Sequence, residues 1–140
     1  MYATYEDLLK AIDADELVRC TDDKNTGGVN LDRVNQALSD ASCEIDGYVG
    51  VRNAVPLAPV PAIIRKCCCD IAIYNIYSRR RGADENRTAR YKDSIRFLEQ
   101  VARGTISLGV ADPDGTPSGT VVSDFSGNVR LFDRDSLKGF

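Results

Sequence analysis

Residues 62–80 are apolar on nearly every side of a helix, and this stretch constrains the fold more than any other. At about 100° per residue, Ile63, Ile64, Cys67, Cys68, Ile71, Ala72, Tyr74, Ile76 and Tyr77 cover most of the circumference. Such a helix has no face to give to water, so it must sit at the centre of the molecule. It cannot extend upstream. Pro56, Pro59 and Pro61 crowd residues 51–61, and proline removes the N–H that a helix interior needs. Pro61 instead suits the first turn. Arg79, Arg80 and Arg81 follow at the C-terminal end, where cations complement the helix dipole, and Gly82 closes the element.

The elements that wrap this helix are also readable. Thr4 with Asp7 forms a capping-box pattern before a short helix whose Leu8, Leu9 and Ile12 share a side. Asp13 can cap a second short helix over residues 14–20, and residues 21–28 have loop composition. Asn30 is a strong N-cap for a longer helix with Leu31, Val34, Leu38, Ala41, Ile45 and Tyr48 on one stripe, closed near Gly50. Asp84, Glu85 and Asn86 open the last helix, which carries Tyr91, Ile95, Leu98 and Val101 and ends at Gly104. The expectation is an all-α fold: a small bundle of three long and two short helices over residues 1–104, with residues 105–140 as an extended arm.

The arm has a different composition. Residues 111–119 read as a linker. Residues 120–125 and 129–132 flank Ser126-Gly127-Asn128, a short β-hairpin pattern. A lone two-stranded hairpin is marginal in water, so it needs a surface to lie on. Phe125, Val129, Leu131, Phe132, Leu137 and Phe140 are the expected contact residues.

Charge is unevenly placed. Residues 1–64 carry five basic and eleven acidic side chains, whereas residues 65–104 carry ten basic and five acidic. Opposite halves of this kind suit packing against another copy. The total of −3 gives no bulk attraction to nucleic acid or to an anionic membrane.

Chemical signals are sparse. With no histidine in the chain, histidine-dependent triads are excluded and the commonest metal ligand is missing. The five cysteines lack C-x-x-C spacing and read as small buried hydrophobes in a reducing compartment, with no zinc site. Asp112-Pro113-Asp114-Gly115 lacks the later acid of a calcium loop and reads as a turn. Asp13, Asp15 and Glu16 are explained as cap and first-turn acids. There is no G-x-G-x-x-G or phosphate loop. No catalytic residue, cofactor or metal is expected. Asp70, within the apolar helix, needs a partner, and Arg65, Arg90 and Arg96 are the candidates. Arg79, Arg80 and Arg81 could contact phosphate, which leaves a small nucleic-acid-binding regulator as the alternative reading. No run reaches the ~20 apolar residues of a membrane span, and the acidic first residues do not resemble a secretory leader.

Several short runs, in order, resemble one family. They are Ala41-Ser42-Cys43-Glu44-Ile45-Asp46-Gly47-Tyr48, Val55-Pro56-Leu57, Cys69-Asp70-Ile71-Ala72-Ile73-Tyr74, Arg90-Tyr91-Lys92-Asp93 with Phe97-Leu98, Gly104-Thr105-Ile106-Ser107-Leu108-Gly109, and residues 131–140. Together they are similar to the Mu-like prophage head–tail connector proteins of tailed phages. That resemblance implies a non-enzymatic adaptor: a ring of about twelve copies beneath the portal protein, joining head to tail around the DNA channel. It also implies a tail-side neck or tail-terminator protein as partner, packaged DNA nearby with no specific contact, and a place in the virion neck after assembly in the host cytoplasm. Arg79, Arg80 and Arg81 would then carry channel or inter-subunit charge.

Overall fold

The computed structural model describes residues 1–80 and 82–110. Among these residues there are five helices and no strands: α1 (Tyr5–Leu9), α2 (Ala14–Thr21), α3 (Leu31–Val49), α4 (Ala62–Arg80) and α5 (Glu85–Arg103). The all-helical bundle of three long and two short helices agrees with the expectation. The hairpin and the contact residues assigned to the arm lie outside the described residues.

The helix starts follow local chemistry. Thr4 Oγ1 accepts from the Asp7 N–H while an Asp7 carboxylate oxygen accepts from the Thr4 N–H, closing a capping box. Asn30 Oδ1 accepts from the Arg33 N–H at 3.2 Å, and Asp84 Oδ1 from the Arg87 N–H at 2.8 Å. Asp13 occupies the N-cap of α2 without a side-chain bond. Gly104 ends α5 at φ 77°, in the left-handed region that favours glycine. Gly50 does otherwise: it ends α3 at φ −62°, because the chain keeps turning right-handed, with the Arg52 and Asn53 N–H groups both bonding to Val49 O.

α4 is the central element. Ten of its nineteen residues are buried, and α1, α2, α3 and α5 all pack on it. Ile64, Cys68, Ile71 and Ala72 lose all contact with water, as do Val34, Leu38, Ala41 and Ile45 facing them from α3 and Leu98 from α5. Leu9 and Leu31 depart from their expected stripes and are exposed at 39% and 51%, since each lies at a helix end beyond the reach of the core.

Tyr2 locks the N-terminus in place. It is buried, its N–H donates to Ser42 Oγ at 3.0 Å, and its hydroxyl donates to Asp46 while accepting from the Leu57 N–H at 2.9 Å. Leu57 is thereby held inside the proline-rich loop and is itself buried. Replacing Tyr2 with Phe would leave the buried Leu57 N–H and one Asp46 oxygen without their partner. A loss of about 1–3 kcal/mol is expected, read by urea denaturation, while helix content by circular dichroism stays unchanged.

The chain keeps packing beyond Gly104. Ile106, Leu108 and Val110 are half-buried against the core, alternating with exposed Ser107 and Gly109. Alternation with period two marks an extended segment lying one side down on the helices.

Candidate functional site

Where α4 ends, its two described arginines turn back on their own chain. Arg79 Nη2 lies 2.7 Å from Asp23 Oδ1 and also reaches Cys20 O at 3.4 Å. Arg80 Nη1 donates to Asp22 O at 2.8 Å and to Arg19 O at 3.1 Å. Arg33 approaches the same Asp23 carboxylate at 3.5 Å from α3. The hydrogen bond from Arg79 holds the Asp23 carboxyl below the usual range. Asp22 folds the adjacent loop by accepting from the Thr26 and Gly27 N–H groups at 2.9 Å and 2.7 Å, which lowers its carboxyl too. Cations at the end of α4 thus cap the exposed carbonyls that finish α2. Arg81 lies outside the described residues.

A second junction joins α2, α4 and α5. Tyr77 donates its hydroxyl to Glu16 Oε2 at 2.7 Å, and Arg87 Nη2 meets the same oxygen at 2.7 Å. The Arg87 guanidinium lies 3.8 Å from the Tyr77 ring centroid, within cation–π range. Burial, then the bond to Glu16, pushes the Tyr77 hydroxyl well above its usual value. A third junction joins α3, α4 and α5. Tyr74 and Tyr91 stack with centroids 4.2 Å apart, and Tyr91 donates to Glu44 Oε1 at 3.0 Å. Burial, followed by that bond, raises Tyr91 to about 12. The acidic first half and the basic third quarter therefore meet inside one subunit at Asp23 and Glu16. This takes up part of the complementarity that the sequence suggests for contacts between copies.

Asp70 is buried in α4, 6% exposed, as its surroundings in the sequence imply. Its partner is Lys66 rather than Arg65, Arg90 or Arg96: Lys66 Nζ lies 2.9 Å from Asp70 Oδ2. One helical turn brings Lys66 above the carboxylate without a tertiary contact, the geometry that favours such pairs at this spacing. The bond raises the Lys66 ammonium above its usual value. Beside the pair lies a cleft of about 210 Å³ lined by Ala11, Asp70 and Ile73 with Asp84, Arg87 and Arg90.

All five cysteines are free thiols; Cys20, Cys67, Cys68 and Cys69 are buried and Cys43 is exposed. Burial pushes the thiols of Cys67, Cys68 and Cys69 up, Cys69 to about 12, so they act as packing groups rather than as nucleophiles. No group of side chains among the described residues is arranged to hold a metal ion, and no described helix is long and apolar enough to cross a membrane. Of the remaining expected site residues, Phe125, Val129, Leu131, Phe132, Leu137 and Phe140 lie outside the described residues. Sequence reasoning missed Tyr2, the Glu16–Tyr77–Arg87 junction and the Ile106, Leu108 and Val110 segment. Only the last carried a local signal, its alternation.

These features define a small helical domain that continues into a C-terminal segment and whose described polar clusters tie its own helices together. Its ancestry is explicit in comparisons with known proteins. Residues 2–124 match the family described as Bacteriophage Mu, Gp36, and the chain belongs to that family. The Mu-like prophage FluMu protein gp36 of Haemophilus influenzae is 36% identical over 140 residues, all of this chain and 98% of that protein. Gene product J of Escherichia phage Mu is 38% identical over 129 residues, 88% of this chain and 90% of its own length. The expected kinship with Mu-like phage proteins is thereby shown.

Proposed function

We propose that the chain is a structural, non-enzymatic head–tail connector of a long-tailed phage, with copies closing into a ring beneath the portal protein and around the DNA channel. The observation that carries this reading is the reach of its kinship: the alignment with the Haemophilus protein spans the whole chain, including the 30 residues after Val110. A helical domain followed by an extension that the Haemophilus relative shares over its full length suits a ring component. Closed rings use heterologous contacts, in which one surface of a copy meets a different surface of the next. Exposed Val51, Val55 and Ile63, at 67%, 41% and 41%, supply apolar area near the proline-rich loop, and Phe125, Val129, Leu131, Phe132, Leu137 and Phe140 supply anchors on the arm. On this reading the ring has about twelve copies, sits in the virion neck and meets a tail-side neck or tail-terminator protein.

The alternative, a regulator that binds duplex DNA through Arg79, Arg80 and Arg81, gains no support from the bonds of Arg79 and Arg80 to the α2 end and its loop. A chain ending at Val110 retains every described core residue. It should keep its helix content by circular dichroism yet fail to form rings with the portal protein or to enter particles, as judged by electron microscopy. Normal assembly by that truncated chain would overturn the role given to the arm.

A further inference from the structure

We infer that α3 of one copy packs side by side with α5 of the next, with Asp40 meeting Lys92 and Arg96 across that contact. Both helices leave one side without a partner among the described residues. At about 100° per residue, Asp32, Gln36, Ser39 and Gly47 lie opposite the buried Val34, Leu38, Ala41 and Ile45 of α3. Ser39 is half-buried and the other three are exposed. Lys92, Arg96 and Arg103 lie in the same way opposite the buried Ser94, Leu98 and Val101 of α5, and all three are exposed.

The two sides differ in charge. The outer side of α3 carries Asp32, with exposed Asp40 at its edge, and the neighbouring Arg33 is engaged by Asp23 at 3.5 Å. Asp40 accepts only from the neutral Gln36 amide, at 2.7 Å, among the described residues. On α5 the acids beside the cations are Asp93 and Glu99, each 3.6 Å from its arginine, Arg96 or Arg103. Solvated pairs of this kind hold weakly, so the guanidiniums stay available to a partner. A patch of one sign on α3 therefore complements a patch of the other on α5.

Gly47 is a separate sign of close approach. A Cβ there would meet nothing within 4 Å in the subunit. Glycine inside a helix carries a cost that alanine avoids, and the subunit's own packing gives no return for it. A second helix laid against α3 does.

The fold sets the register. α3 and α5 have nineteen residues each and pack on each other. The Arg52 guanidinium, just past α3, lies against Gly104 at the end of α5, so the two helices finish level. Set side by side without a shift, Asp40, tenth in α3, falls between Lys92 and Arg96, eighth and twelfth in α5. Gly47 comes beside Arg103 and leaves room for its stem, while Asp32 and Glu85 come level and gain nothing. Such a contact joins two different surfaces and repeats from copy to copy, closing where the rotation allows. The inference rests on the connector reading in taking the repeat to close into a ring.

The test counts rings by electron microscopy when full chains are mixed with the portal protein. Asp40→Lys in one chain, and Lys92→Glu with Arg96→Glu in another, should each lower ring yield at least ~10-fold, since like charges then face each other. An equimolar mixture of the two chains should restore rings, because every contact again joins opposite signs. Circular dichroism should be unchanged for both. Gly47→Gln has open space in the subunit, so it should keep the fold yet lower ring yield, and it decides if a charge variant loses its helices. Wild-type yield from either folded charge variant alone, no rescue on mixing folded chains, or an unaffected Gly47→Gln chain would each overturn the inference. If wild type forms rings and these variants form them equally well, the α3–α5 contact falls and the connector reading stands. If wild type forms no ring with the portal protein, the connector reading falls and takes the inference with it.

Discussion

Replacing Ile71 with alanine should destabilise the domain by about 2–5 kcal/mol, the range for emptying a closed core site. Ile71 has no exposed surface and sits midway along α4, the helix on which α3 and α5 both pack. Ile63→Ala is the matched control: the same residue type on the same helix, but 41% exposed and at its first turn, with an expected cost within about 0.5 kcal/mol. Urea denaturation followed by circular dichroism measures both. Because every other helix rests on α4, the Ile71 variant should lose all its helix in a single transition. Similar costs at the two positions would mean that α4 is not the centre of the fold.

Alkali should unfold the protein earlier than its carboxylates or lysines would suggest, through its tyrosines. Burial, then the bond to Asp46, raises Tyr2 to about 12, Tyr91 is raised to the same value beside Glu44, and Tyr77 is also raised beside Glu16. The unfolded chain ionises its tyrosines near their ordinary value of about 10. Below that pH both states hold these protons and the groups contribute no pH dependence. Between about 10 and 12 the unfolded state gives up protons that the folded state keeps, so stability falls as pH rises through this window. Tyrosinate absorbance should show a group of the six tyrosines ionising late and together with loss of helix. Tyr91→Phe should make the alkaline decline shallower. If all six titrate near pH 10 without unfolding, the three carboxylate-bound hydroxyls are not held as described.

Much of the fold was legible because it is written locally. The all-round apolar run marks α4 as central without reference to any other segment. Asn30 and Asp84 declare helix starts within three residues of the N–H groups that they cap. Three prolines mark where α3 and α4 must part. The junctions were not legible. Tyr2 meets Asp46 across 44 positions and Tyr77 meets Glu16 across 61, and no spacing rule links residues that far apart. Asp70 shows the intermediate case. Its burial follows from its neighbours, but the sequence offers arginines on α5 and at the start of α4 as partners, and the pair that forms is with Lys66, one turn away. The opposed charge of the two halves, expected to serve contacts between copies, is partly used within the subunit, at Asp23 and Glu16.

The contrast among the cysteines has a practical consequence. Four sulfurs are enclosed, while Cys43 faces outward from the middle of α3. The natural chain thus offers a single addressable handle for maleimide chemistry, fixed to a rigid rod rather than to a loop. A fluorophore or spin label attached there could report spacing between protomers in an oligomer without any engineered substitution.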